Sequence, residues 1–163
     1  MNAEELVAEL AVKARQASRT LSTANGAERK AALEAIAKAI ESRSAEILAA
    51  NEIDMNNARA ENMHPQMQDR LLLTDDRIKG IAGGARQVAA LPDPLGRVLR
   101  KSTLPNGLEL EQISVPFGVI GMVYEARPNV TVDAAVILLM SGNAALLRGS
   151  STADRKSTRL NSS

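Results

Sequence analysis

Two short polar segments of this 163-residue chain carry residue types suited to small anions: Glu125-Ala126-Arg127-Pro128-Asn129 and Arg148-Gly149-Ser150-Ser151. An arginine can clamp a carboxylate or phosphate through charge-assisted hydrogen bonds, and a following glycine lets the backbone come close to the ligand. An asparagine amide can donate to a developing oxyanion. Each segment also has a plainer reading. Arg148 can be a solvated arginine at a strand end. Arg-Pro-Asn is a plausible turn whose proline fixes the backbone without catalytic need, and from the residues alone this account stands ahead for Arg127 and Asn129. Glu125 and Asp133 could be paired carboxylates, yet a turn acid and a first-turn helix acid explain them better. His64, the one histidine, stands beside Pro65 as a surface loop residue, with no second histidine to complete a metal site. The six methionines read as core filling. No Gly-x-Gly-x-x-Gly fingerprint is present.

The chain has no cysteine, which excludes disulfides, thiolate-held metal and a cysteine nucleophile within these residues. Apolar residues make up 45%, with one Phe, one Tyr and no Trp, so Ala, Leu, Ile and Val must build the core. The acidic start Met1-Asn2-Ala3-Glu4-Glu5 lacks the flank and apolar run of a signal peptide. The longest apolar run, Ala134 to Met140, is far too short to span a bilayer. A cytoplasmic chain with no membrane partner is expected. The net charge of +1 argues for no particular partner, and no nucleic acid is expected; the last ten residues carry Arg155, Lys156 and Arg159 against one acid, so the basic excess belongs to the tail.

The elements that would position the two segments follow from hydrophobic period. Leu6, Leu10, Ala14, Ala17 and Leu21 form one helical stripe, with Asn2 and Glu5 spaced as a capping box. Leu33, Ile36, Ala37 and Ile40 mark a second helix beginning after Gly26. Ser44 is placed to cap a third, from Ala45 to about Ala60, with Ile47, Leu48 and Met55 inward. Met63-His64-Pro65 breaks the pattern. Thr74 followed by Asp75 and Asp76 starts a regular helix whose inward positions are Ile78, Ile81, Ala82, Ala85, Val88 and Ala89. Pro92 and Pro94 end the helical part. Asn106-Gly107 signals a hairpin between Arg97–Leu104 and Leu108–Val115, with Leu108 and Leu110 alternating against Glu109 and Glu111 as in a strand with one wet face. Val119–Tyr124 suits a strand buried on both faces. After a polar turn at Glu125–Asn129, Val132, Ala135, Val136, Leu139 and Met140 give a helix ended by Gly142. Ala144–Arg148 is a second buried strand. Strand, helix, strand in about thirty residues is a βαβ unit with parallel strands. The fold class is therefore α/β: an N-terminal helical layer, a β-hairpin and the start of a parallel sheet. In open α/β sheets ligands bind beyond the carboxyl ends of the strands, where both polar segments fall.

Asp154–Ser163 has no apolar period and no partner strand. A nucleic-acid arm or a solvated end would account for it, but the decapeptide matches the translation of a common sequencing adapter at all ten positions. On that reading residues 154–163 are a non-native tail, and the natural chain is cut off near Ala153.

Residues up to Ala153 resemble the N-terminal part of the gamma-glutamyl phosphate reductase family, the proline-biosynthesis branch of the aldehyde dehydrogenase superfamily. The resemblance is most specific from Val115-Pro116-Phe117-Gly118-Val119-Ile120-Gly121-Met122-Val123-Tyr124 through Glu125-Ala126-Arg127-Pro128-Asn129-Val130-Thr131-Val132-Asp133-Ala134-Ala135. Ser141-Gly142-Asn143, Leu147-Arg148-Gly149 and Asn51-Glu52-Ile53-Asp54 continue it. It implies a truncated, Rossmann-like, aldehyde dehydrogenase-like sheet, with 1–153 a partial N-terminal cofactor-binding domain and the catalytic domain absent. It implies NADPH as cofactor and Glu125, Ala126, Arg127, Arg148, Gly149 and Ser150 as cofactor-binding candidates, Arg148 suiting the 2′-phosphate. The family's usual second glycine and glutamate are here Ser150 and Thr152. Arg127 and Asn129 become substrate-binding candidates, since many aldehyde dehydrogenases place an oxyanion asparagine near this point. The implied reaction is reduction of L-glutamyl 5-phosphate to the semialdehyde with release of phosphate, through a cysteine nucleophile that has no counterpart in these residues. The polypeptide as it stands is therefore expected to be inactive, with no catalytic and no metal-ligating residue of its own. The hairpin resembles the family's subunit-bridging element, which implies a homo-oligomer at full length. The rival readings are another aldehyde dehydrogenase relative with a different acyl substrate, and a non-enzymatic helical interaction module.

Overall fold

The computed structural model describes residues 2–125 and 127–149. Ala126, Ser150 and the tail 154–163 lie outside the described residues.

The first helix, α1 (Ala3–Thr23), opens on the expected capping box: the Glu5 N–H donates to Asn2 Oδ1 at 2.8 Å and the Asn2 N–H donates to Glu5 Oε2 at 2.9 Å. Helix α2 (Gly26–Ser42) opens on a second such box that the sequence reading did not single out, between Asn25 and Glu28. Ser44 does not cap α3 (Ser44–Ala60), contrary to expectation, but lies inside its first turn. Only Arg43 separates α2 from α3; its N–H already donates to Ala39 O, and its side chain pairs with Glu46, so no extended capping residue fits between them. The break at Met63–Pro65 holds a short unforeseen helix, α4 (Pro65–Leu71), with proline at its first position and His64 Nδ1 accepting from the Gln66 N–H. Helix α5 (Asp75–Ala90) starts as read, with Thr74 Oγ1 accepting from the Arg77 N–H at 3.2 Å.

Helices α2 and α5 share the most extensive contact in the molecule, and α6 (Pro128–Met140) packs on both. Leu33, Ala37 and Ile40 meet Ile78, Ile81, Ala82 and Ala85, with Val132, Val136 and Met140 completing the cluster. Burying each large aliphatic side chain contributes about 1.5–3 kcal/mol. Alanines at the α2–α5 seam let the backbones approach. Met55, Ala58 and Leu71 form a smaller cluster under α3 and α4. The stripe along α1 is a correction. Ala14 is buried, but Leu6 and Leu10 are exposed, because α1 packs chiefly on a narrow two-stranded sheet that cannot cover a 21-residue helix.

That sheet pairs β3 (Val119–Val123) with β4 (Ala144–Arg148) in parallel, from Val119 opposite Ala144 to Val123 opposite Arg148. The βαβ unit is thus present. The strand read as buried on both faces is not: Met122 is exposed and Val123 is 80% exposed, since α1 and α6 both lie mainly over β4. Helix α6 begins at Pro128, so Pro128 and Asn129 belong to the helix rather than to the expected turn. Gly142, at φ 72°, ends it as expected; a Cβ there would press on Leu95 and Pro116. The hairpin of β1 (Val98–Thr103) and β2 (Glu109–Ile113) turns at Asn106-Gly107, with Lys101 against Glu111 across the ladder. It was expected to have one dry face, yet β2 is exposed along its whole length, since its partner strand β1 is the one described element with which it shares extensive contact.

Candidate functional site at the strand ends

The parallel register sets the carboxyl ends of β3 and β4 side by side, and the Tyr124 N–H donates to Arg148 O at 3.1 Å. Glu125, Arg127 and Asn129 therefore sit at the same sheet end as Arg148 and Gly149, as the sequence reading requires. Tyr124 Oη and Thr131 Oγ1 share a hydrogen bond of 2.7 Å that fixes the corner between β3 and α6. Arg148 is exposed and its guanidinium forms no ion pair among the described residues.

The two polar segments nevertheless face different neighbourhoods. Arg127 and Asn129 line a cleft of about 540 Å³ between the start of α6 and the α4–α5 corner, opposite Asp69, Arg70 and Arg77; Arg148 does not line it. Arg77 donates to the Asp69 and Leu72 carbonyls and pairs with Asp69 Oδ1 at 2.9 Å, fastening α4 to α5. Arg70 reaches across to Glu125, a loose pair at 3.8 Å. Asn129 Nδ2 donates to Asp133 Oδ2 at 3.2 Å. Asp133 is thereby engaged by Asn129, and Glu125 faces Arg70. No group of three metal-ligating side chains occurs among the described residues, and His64 is exposed at the start of α4. No helix among them is long and apolar enough to cross a membrane.

Arg70 and Arg77 were missed in the sequence, although one signal was available: Pro65 after a histidine that can cap marks the start of the helix carrying Arg70. Nothing local shows that this helix meets residues some sixty positions later.

No family model matches the chain. Among curated proteins, it is 54% identical over 145 residues to gamma-glutamyl phosphate reductase of Geobacillus thermodenitrificans, covering 89% of this chain and 35% of that protein. Its homologues are gamma-glutamyl phosphate reductases. The reductase of Kineococcus radiotolerans is 52% identical over 157 residues, covering 96% of this chain and 36% of the relative. Solved reductase structures agree in fold. That from Thermotoga maritima superposes with a TM-score of 0.88 at 39% identity, over 92% of this chain and 36% of its own. The Saccharomyces cerevisiae reductase gives 0.87 at 30% identity, over 98% and 40%. The chain thus spans little more than a third of the curated reductases it matches.

Proposed function

We propose that this chain is part of a gamma-glutamyl phosphate reductase, which reduces L-glutamyl 5-phosphate with NADPH and a proton to L-glutamate 5-semialdehyde, phosphate and NADP⁺. The identity of 54% over 145 residues to a reductase carries the reading. Residues 1–153 would form the front of the cofactor-binding domain, with 154–163 no part of it. The whole enzyme would be a cytoplasmic homo-oligomer acting on a small molecule, with neither nucleic acid nor membrane as partner.

The residues present fit the cofactor. Arg148 stands at the carboxyl end of β4 with no ion pair among the described residues, and Gly149 follows, so a guanidinium is available to a 2′-phosphate. Glu125, Ala126 and Ser150 would complete the cofactor side. When bound, NADPH supplies the hydride. Arg127 and Asn129 would hold the acyl end of the substrate, the Asn129 amide exchanging Asp133 for the substrate oxygen. The thiolate required to displace phosphate has no source here, since the chain contains no cysteine. Titrating the chain with NADPH and NADH, read by nicotinamide fluorescence, tests this. We expect NADPH to bind at least tenfold tighter than NADH, Arg148→Ala to abolish the difference, and no semialdehyde to form. Equal affinity for the two, or turnover by the 163-residue chain, overturns the reading.

A further inference from the structure

We propose that Arg70 recognises the α-carboxylate of the glutamyl substrate; this rests on the reductase reading above and deepens it. Arg70, Arg77 and Arg127 line one cleft, but they are not equivalent. Arg77 is committed to Asp69 and two carbonyls. Arg127 stands where α6 begins, on the side assigned to the acyl phosphate. Arg70 stands on the opposite wall, on α4, and its only polar side-chain contacts among the described residues are Met67 Sδ at 3.9 Å and Glu125 at 3.8 Å. The Glu125 separation is well beyond the roughly 2.7–2.9 Å of a formed guanidinium–carboxylate hydrogen bond, and a thioether carries no charge to offset the guanidinium. The cleft's acids are likewise occupied, Asp69 by Arg77 and Asp133 by Asn129. Arg70 and Arg127 are thus the least compensated charges of the cleft, one on each wall. A substrate with an anion at either end needs that arrangement, and about 540 Å³ falls within the usual ~300–1,000 Å³ of small-molecule sites. Glu125 then acts as a placeholder: it holds the Arg70 side chain loosely until a substrate carboxylate replaces it.

The test is calorimetric titration of the 163-residue chain with L-glutamate, with 4-aminobutyrate, which lacks the α-carboxylate, and with inorganic phosphate. We expect L-glutamate to bind at least tenfold tighter than 4-aminobutyrate. Arg70→Gln should erase that preference, Arg70→Lys should keep part of it, and phosphate affinity should stay within twofold in both. Glu125→Gln should tighten L-glutamate severalfold, a change of sign that a structural role for the pair would not produce. Circular dichroism melts establish that the variants are folded. Equal affinity for L-glutamate and 4-aminobutyrate, an Arg70→Gln variant that binds L-glutamate normally, or loss of phosphate in parallel with L-glutamate overturns the proposal. The two readings fail separately. NADPH preference with an inert Arg70 sinks this one alone, whereas Arg70-dependent L-glutamate binding without NADPH preference sinks the reductase reading.

Discussion

Arg29 is only 4% exposed, and its guanidinium is divided between the Ala24 carbonyl, at the end of α1, and the Asp93 carboxylate, beyond α5, at 2.6 and 2.7 Å. Gly26 lies directly beneath, where a Cβ would collide with that carboxylate. Arg29→Ala strands the Ala24 carbonyl and the carboxylate, and should cost about 2 kcal/mol, held down because Asp93 keeps part of its side chain in water. Gly26→Ala should cost about 1–2 kcal/mol by displacing the carboxylate, and much less when Arg29 is already alanine. Urea denaturation of the two variants and the double variant measures both. The same group sets a pH dependence. The Leu95 N–H first, and Arg29 with it, hold the Asp93 carboxyl below the usual range. A lowered folded-state pKa stabilises fully above the ordinary carboxylate value and is lost as pH falls through that value to the folded one. Melting temperature should therefore drop more steeply below about pH 4 in the native chain than in Asp93→Asn. Equal slopes would contradict it.

At the scale of elements, the α4–α5 corner hangs on Asn51. Its amide, buried within α3, donates to the Leu71 carbonyl at 3.0 Å and its Oδ1 accepts the Leu73 N–H. Asn51→Ala leaves both backbone groups buried and unpaired, so a loss of about 3 kcal/mol is expected, with the urea midpoint falling and the slope unchanged. Weakened L-glutamate binding should accompany it, because the wall bearing Arg70 is the one released. Elements whose signals are local were legible: the Asn2 box, the Thr74 cap, the Asn106-Gly107 turn and the glycine after α6. So was the meeting of the two polar segments, since a parallel βαβ unit has to bring its strand ends together. What failed depends on remote partners. The period of Leu6 and Leu10 identifies a helix face but not what covers it, and Ser44 looks like a cap until α2 is seen to leave it no room. Arg70 belongs to a seven-residue helix, too short to show a period.

The molecule as a whole leaves much apolar surface in water. Val98, Leu99, Leu108, Leu110 and Ile113 of the hairpin region are exposed, as is Phe117 at 91%, together with Leu6, Val7 and Leu10 of α1. Apolar exposure on this scale favours association. The chain is expected to self-associate, its sedimentation coefficient rising with concentration and persisting in high salt; a monodisperse monomer would contradict this. Residues 118 and 143 carry a different kind of consequence, one of time. Asn143 Oδ1 accepts the Gly118 N–H at 2.8 Å, and the Ala144 N–H donates back to Gly118 O, joining points 25 residues apart. Closing a loop of that size costs about 3 kcal/mol of chain entropy before any strand contact offsets it. Helix α6 lies within that loop and already shares the core of α2 and α5, so the strand corner is what remains to dock. That corner should open ahead of the helices, so the Gly118 amide should exchange its hydrogen well before those in the middle of α2 and α5, and act as the clock for docking of the sheet.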